Sequence, residues 1–148
     1  MFKLRGTYWY ATSVLFILGL FNVANGLFHF LWHDSGAGSV MGADLSGPAG
    51  SSLVFMLGVV GALQVIVGLV YLYVVFRDKA LILGAFFLES TWNLMALYLH
   101  YGPKMPDPIA PHRFINIGFL ALSLLTISTL ILAERKPQLL GSSVTGSE

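Results

Sequence analysis

Residues 52–76 read SLVFMLGVVGALQVIVGLVYLYVVF, 25 consecutive positions with no charged side chain and one amide, Gln64. Wound as a helix at about 1.5 Å per residue, such a run is long enough to cross the ~30 Å hydrocarbon layer of a bilayer. We therefore read it as a transmembrane helix. Working outward, three more stretches meet the requirement of about 20 apolar residues. They are residues 8–33, 79–101 and 112–133.

Composition agrees with this division. Of the 148 residues, 56% are hydrophobic and only 10% charged, where a soluble domain carries roughly a quarter charged residues; the mean hydropathy is +0.78. A soluble fold is excluded. A net charge of +1 leaves no basic stripe to neutralise several phosphates, so nucleic acid is not an expected partner. The absence of cysteine removes disulfides, thiol redox chemistry, iron–sulfur clusters and Cys-ligated zinc together. Lys3 and Arg5 precede an apolar run in the manner of a secretory signal. That run exceeds a signal core of roughly 7–15 residues and has no small-residue cleavage site before Asn22, so it is retained as the first span.

The connections set the layout. DSGAGSVMGADLSGPAGS, from Asp34 to Ser51, is rich in glycine and serine and is read as a loop. Arg77-Asp78-Lys79 is a tight charged turn in which Asp78 is suited to cap the third helix. GPKMPDPIAP, residues 102–111, has prolines at 103, 106, 108 and 111 and should be extended, with Pro111 placed to start the fourth helix. Lys3, Arg5, Arg77, Lys79, Arg135 and Lys136 lie at one end of the spans and only Lys104 and Arg113 at the other. The richer side is the cytoplasmic one by the positive-inside rule. Tyr8, Trp9, Tyr10, Tyr71 and Tyr73 are expected at the inner interface, and Trp32, Tyr98 and Tyr101 at the outer one.

The expected fold is thus an all-α membrane protein, a four-transmembrane-helix bundle running up-down-up-down with both termini in the cytoplasm. Residues 1–136 form the single transmembrane domain and 137–148 a disordered cytoplasmic tail. The four-span layout resembles that of the DoxX-like group of small bacterial membrane proteins. The likeness is one of topology alone and assigns no residue a role; the expected location is the bacterial inner membrane.

Polar residues within the spans fall on seams. Gly19, Asn22, Gly26, His29 and His33 follow alternating spacings of three and four, with Asn25 beside them. Gly61, Gln64 and Gly68 repeat the pattern on the second helix, and Glu89, Asn93, Ala96 and His100 on the third. His112, Asn116, Phe119, Ser123 and Thr126 do so on the fourth. Small residues allow close helix approach and amides bond across it, so packing alone explains much of this pattern. Depth adds to it: Asn22, Gln64 and Glu89 each lie about 17 Å below the outer end of their helix, near the midplane. Asn25, His29, Asn93 and Asn116 follow above them, with His33, His100 and His112 toward the outer rim.

Glu89 has no basic residue inside any span to pair with. It is expected to keep its proton or share it with Asn22 or Gln64, in a state suited to hydrogen bonding or to acid–base work. The histidines offer a second chemistry. His29 and His33, four apart, can chelate a metal with a ligand from His100, His112 or Asp34, and two histidines on facing helices can hold haem.

The reading that accounts for these residues together is an outward-opening pocket that binds a small lipophilic ligand such as a quinone, a sterol-like molecule or an isoprenoid. Its lining is Asn22, Asn25, His29, Gln64, Glu89, Asn93, His100 and Asn116, with Glu89 the acid or base if a reaction occurs there. The alternatives are an accessory or assembly subunit of a larger membrane complex or homo-oligomer, and a haem or metal redox protein using His29, His33, His100 and His112. No nucleophile–base pair, phosphate loop or dinucleotide motif is present to name a reaction or a cofactor.

Overall fold

The computed structural model describes residues 2–101 and 113–141. Within them the chain forms four long helices: α1 (Phe2–Leu31), α2 (Pro48–Arg77), α3 (Ile82–Tyr101) and α4 (Arg113–Gly141). A single 3₁₀ turn, Lys79–Leu81, leads into α3, and no strand occurs among the described residues. Each helix contains a stretch long and apolar enough to cross a membrane: Tyr8–Leu31, Pro48–Arg77, Lys79–Leu99 and Phe114–Ala133. This is a small four-span membrane protein. The proline-rich connection, with Lys104, Pro111 and His112, and residues 142–148 of the expected tail lie outside the described residues.

Several boundaries differ from the sequence expectation, α1 beginning at Phe2 and α3 at Ile82. α1 stops at Leu31, so His33 lies in the following turn and does not continue the face that carries His29. α2 begins at Pro48, four residues earlier than expected. There the missing N–H of proline falls among the donors that a helix start leaves unpaired in any case, and its fixed φ suits the first turn. α4 continues through Pro137 to Gly141, over the first part of the expected tail. At the charged turn, Asp78 closes α2 as its C-cap, its amide donating to the Val74 carbonyl at 3.2 Å.

The chain divides into two compact units. One comprises residues 14–79, the greater part of α1 with α2; the other joins residues 1–13 with 80–148, and in it α3 packs against α4. In the first unit the helices meet at glycines. A Cβ at Gly26 would stand 2.6 Å from the Gly61 carbonyl oxygen, one at Gly61 2.7 Å from that of Gly26, and one at Gly68 2.7 Å from that of Gly19. The paired glycines are seven residues apart on both helices, two turns in each direction, so one seam is used twice. Toward the other end, Phe16 meets the Phe76 ring edge-on at 5.9 Å between centroids. Hydrocarbon gives no hydrophobic reason for apolar helices to associate, so close van der Waals approach of this kind is the main attraction available.

Burial agrees with the expected seams in part: His29, Gln64, Ala96, Asn116 and Phe119 are half-buried and His33 is exposed. Gly19, Asn22 and Gly26 on α1, Gly61 and Gly68 on α2, Glu89 and Asn93 on α3, and Ser123 and Thr126 on α4 are all buried. The opposite surfaces carry exposed Leu63, Ile66, Leu69, Leu94, Leu124 and Leu125, an apolar exterior suited to lipid. Trp9, Tyr73, Tyr98 and Tyr101 are exposed as interfacial anchors should be. Tyr71 departs from that expectation: it is fully buried at 0% exposure and belongs to the core.

The glycine seam is open to test. Gly61→Val should lower the thermal midpoint of the detergent-solubilised protein, in line with about 1–3 kcal/mol for forced overpacking. Gly84→Ala, at a position with nothing within 4 Å of the added carbon, should leave the midpoint unchanged or higher. Equal melting of all three proteins would remove the seam from its role.

Candidate functional site

Each unit satisfies its polar residues differently. In the unit of residues 14–79, the Asn25 amide donates to Gln64 Oε1 at 3.0 Å, tying α1 to α2 beside the glycines. Such a bond between membrane helices is worth about 0.6 kcal/mol on average. Asn22 is buried and turns its amide back to the Leu18 carbonyl of its own helix at 3.0 Å. His29, half-buried, donates from Nδ1 to the Ser35 carbonyl at 2.7 Å. That fixes the tautomer with a proton on Nδ1 and directs the imidazole at the loop.

The loop is itself ordered around Asp34. Its Oδ1 accepts the Gly36 amide at 2.8 Å and its Oδ2 the Ser39 amide at 2.7 Å, while the Ser39 hydroxyl donates to Oδ1 at 3.1 Å. Burial pushes this carboxyl up, but the amides of Ser39 and Gly36, the Ser39 hydroxyl and the neighbouring His33 outweigh it and hold the group below the ordinary value of 3.8. Asp34 thus orders the loop backbone. Ser35 sits at φ +50°, in the left-handed region, and presents the carbonyl that His29 meets. An Asp-x-Gly sequence is a recognisable Asx turn, so the signal for this lock was present in residues 34–36.

Near the loop, an open groove of about 440 Å³ runs past Phe30, Trp32, His33, Val54, Phe55 and Leu63. Of the residues expected to form a site, it touches His33 alone. Its walls are largely apolar, a surface that acyl chains fill in a bilayer.

In the other unit, Glu89 and Asn93 are 2% and 1% exposed and stand one turn apart on α3. The Asn93 amide donates to both the Glu89 carbonyl and Glu89 Oε1, each at 2.8 Å. A carboxyl group held beside an amide in the interior of a span can accept a hydrogen bond and, in its acid form, donate one. Ser90 and Ser123 complete the buried polar set, and neither hydroxyl meets a hydrogen-bond partner among the described residues. Leaving each unmatched costs about 1–3 kcal/mol. Thr91, Thr126 and Ser128 avoid that cost by donating to the carbonyl four residues back. Sequence reading passed over Ser90, one position off the Glu89 seam, because a serine adjoining a seam carries no pattern of its own.

The expected site residues therefore form local pairs: Asn25 with Gln64, Glu89 with Asn93, and His29 with the loop. Asn116 is half-buried on α4. The His100 side chain and all of His112 lie outside the described residues, and among those described no three His, Asp or Glu side chains gather as metal ligands. Comparison with protein-family models, with curated proteins and with solved structures yields no match.

The Asp34 lock predicts a pH dependence. Because the folded carboxyl is held below its unfolded value of 3.8, its contribution is complete above that value and is lost as pH falls through the lower folded one. Hydrogen-exchange protection at the Gly36 and Ser39 amides should fall across that window in the native protein. In Asp34→Ala it should be low at every pH, and native-like protection in that variant would refute the lock.

Proposed function

We propose that this protein binds a small lipophilic ligand with a polar head, of the quinone, sterol-like or isoprenoid kind, through the polar residues inside its spans. The observation that carries this reading is the Glu89–Asn93 pair, almost wholly buried and mutually bonded within a membrane-spanning helix. An ionisable group is costly to place at that depth, and such groups mark ligand or proton sites by default. Asn93 holds Glu89 Oε1 in a fixed place, and a carboxyl so held suits acid or base work. His100 and Asn116, of the same unit as Glu89, are the further residues assigned to recognition. A bound molecule would enter from the outer side of a bacterial inner membrane, with both protein termini in the cytoplasm.

Orientation is testable without background labelling because the chain has no cysteine. A membrane-impermeant maleimide should label Val40→Cys from outside intact cells and Lys79→Cys only after lysis, both positions being exposed. The reverse pattern would invert the arrangement.

For the ligand, ubiquinone-1, cholesterol and farnesol should be titrated against the purified protein in nanodiscs, read by tryptophan fluorescence. At least one should bind saturably, and Glu89→Ala should weaken it by about tenfold or more. Glu89→Gln, which keeps an oxygen for Asn93, serves as the folding control. A well-folded native protein that binds none of the three, or binding that ignores Glu89→Ala, would defeat the proposal.

A further inference from the structure

Ser90 and Ser123 point to what the ligand's polar head is. Ser90 lies eleven residues before the end of α3 at Tyr101, and Ser123 ten residues after the start of α4 at Arg113. In a hairpin with level ends those offsets correspond to about 16 Å and about 15 Å, which would put the two serines at a similar depth. Both belong to the buried faces of helices that pack together, Ser123 at 0% and Ser90 at 9% exposure. Glu89 lies at the same level, adjoining Ser90, and Thr126 one turn from Ser123.

A serine inside a helix always has the carbonyl four residues back within reach, and serines in spans commonly use it. Thr91, one residue from Ser90, and Thr126, three from Ser123, do so. Ser90 and Ser123 do not, and their hydroxyls are buried without a hydrogen-bond partner among the described residues. Two level hydroxyl donors match the two lone pairs of one carbonyl oxygen. No Lys or Arg lies between the ends of any span to neutralise an anion, and a charged head would lose its hydration without compensation.

We propose that Ser90 and Ser123 form a recognition pair for the carbonyl oxygen of an uncharged, ketone- or quinone-type lipophilic molecule entering the α3–α4 unit from the membrane. The assignment rests on the ligand-binding reading above and narrows its chemistry: an alkane or a head without an acceptor oxygen is not taken.

Benzophenone is a suitable probe, being a lipophilic ketone that cross-links nearby C–H bonds under ultraviolet light; diphenylmethane is its counterpart without the oxygen. With the full chain in nanodiscs, benzophenone should attach to peptides containing Ser90 or Ser123, and diphenylmethane should compete poorly. Ser90→Ala/Ser123→Ala should weaken benzophenone by about tenfold, two hydroxyl bonds' worth, and leave diphenylmethane unchanged. Ser90→Thr/Ser123→Thr should retain much of the affinity, and thermal melting checks that each variant folds. Unchanged benzophenone affinity in the alanine pair, or cross-links confined to other helices, overturns the proposal and leaves the hydroxyls to internal water or dry packing. If Glu89→Ala still weakens a ligand in that case, the broader binding reading stands alone. If the native protein binds neither benzophenone nor the three earlier compounds, both fall together.

Discussion

Backbone meets backbone where Gly26 faces Gly61 and Gly19 faces Gly68, and the unit of residues 14–79 depends on that closeness. With carbonyl oxygens of one helix where side chains of the other would otherwise stand, α1 and α2 gain the dispersion contacts that hydrocarbon solvent cannot drive by exclusion. The same proximity lets two short amide side chains, Asn25 and Gln64, reach each other. It also holds the end of α1 at the height where His29 reaches the Ser35 carbonyl and the loop folds on Asp34. Loop order and helix contact are one arrangement.

The second unit solves the same problem by other means and less completely. Its buried face carries a carboxyl, an amide and three hydroxyls where the first unit uses glycine. Within a bilayer each such group must find its partner inside the protein, since no water is at hand. Asn93 and Thr126 bond within their own helices, and among the described residues the Ser90 and Ser123 hydroxyls meet no partner. A unit that served only as packing would gain from alanine at both positions.

The spans were legible because hydropathy over some 20 residues is an average, little affected by any single position. The buried faces were legible for a related reason: costly side chains can face only inward, so the spacing of Gly19, Asn22 and Gly26, or of Glu89 and Asn93, reports the helix face directly. Local hydrogen bonding was not legible from the same pattern. Asn22 spends its amide on Leu18, and Gln64 accepts from Asn25; nothing in their spacing tells such choices from a shared layer with Glu89. His33 was misplaced because Trp32 and His33 suit a helix end as well as a turn, and the decision lay with Asp34 and Gly36, whose Asx turn stops α1 at Leu31. Tyr71 was assigned to the interface on residue type, although its helix has Gly68 one turn before it on the same face.

The length of α2 has a consequence of another kind. Its 30 residues span about 45 Å, against ~30 Å of hydrocarbon. The surplus is taken up by tilt and by ends that project among the lipid headgroups. Since α1 is fastened to α2 at two points along a glycine seam, neither helix can lean without the other, and the hairpin responds to bilayer thickness as one lever. A thinner bilayer would therefore be met by tilting the two helices together.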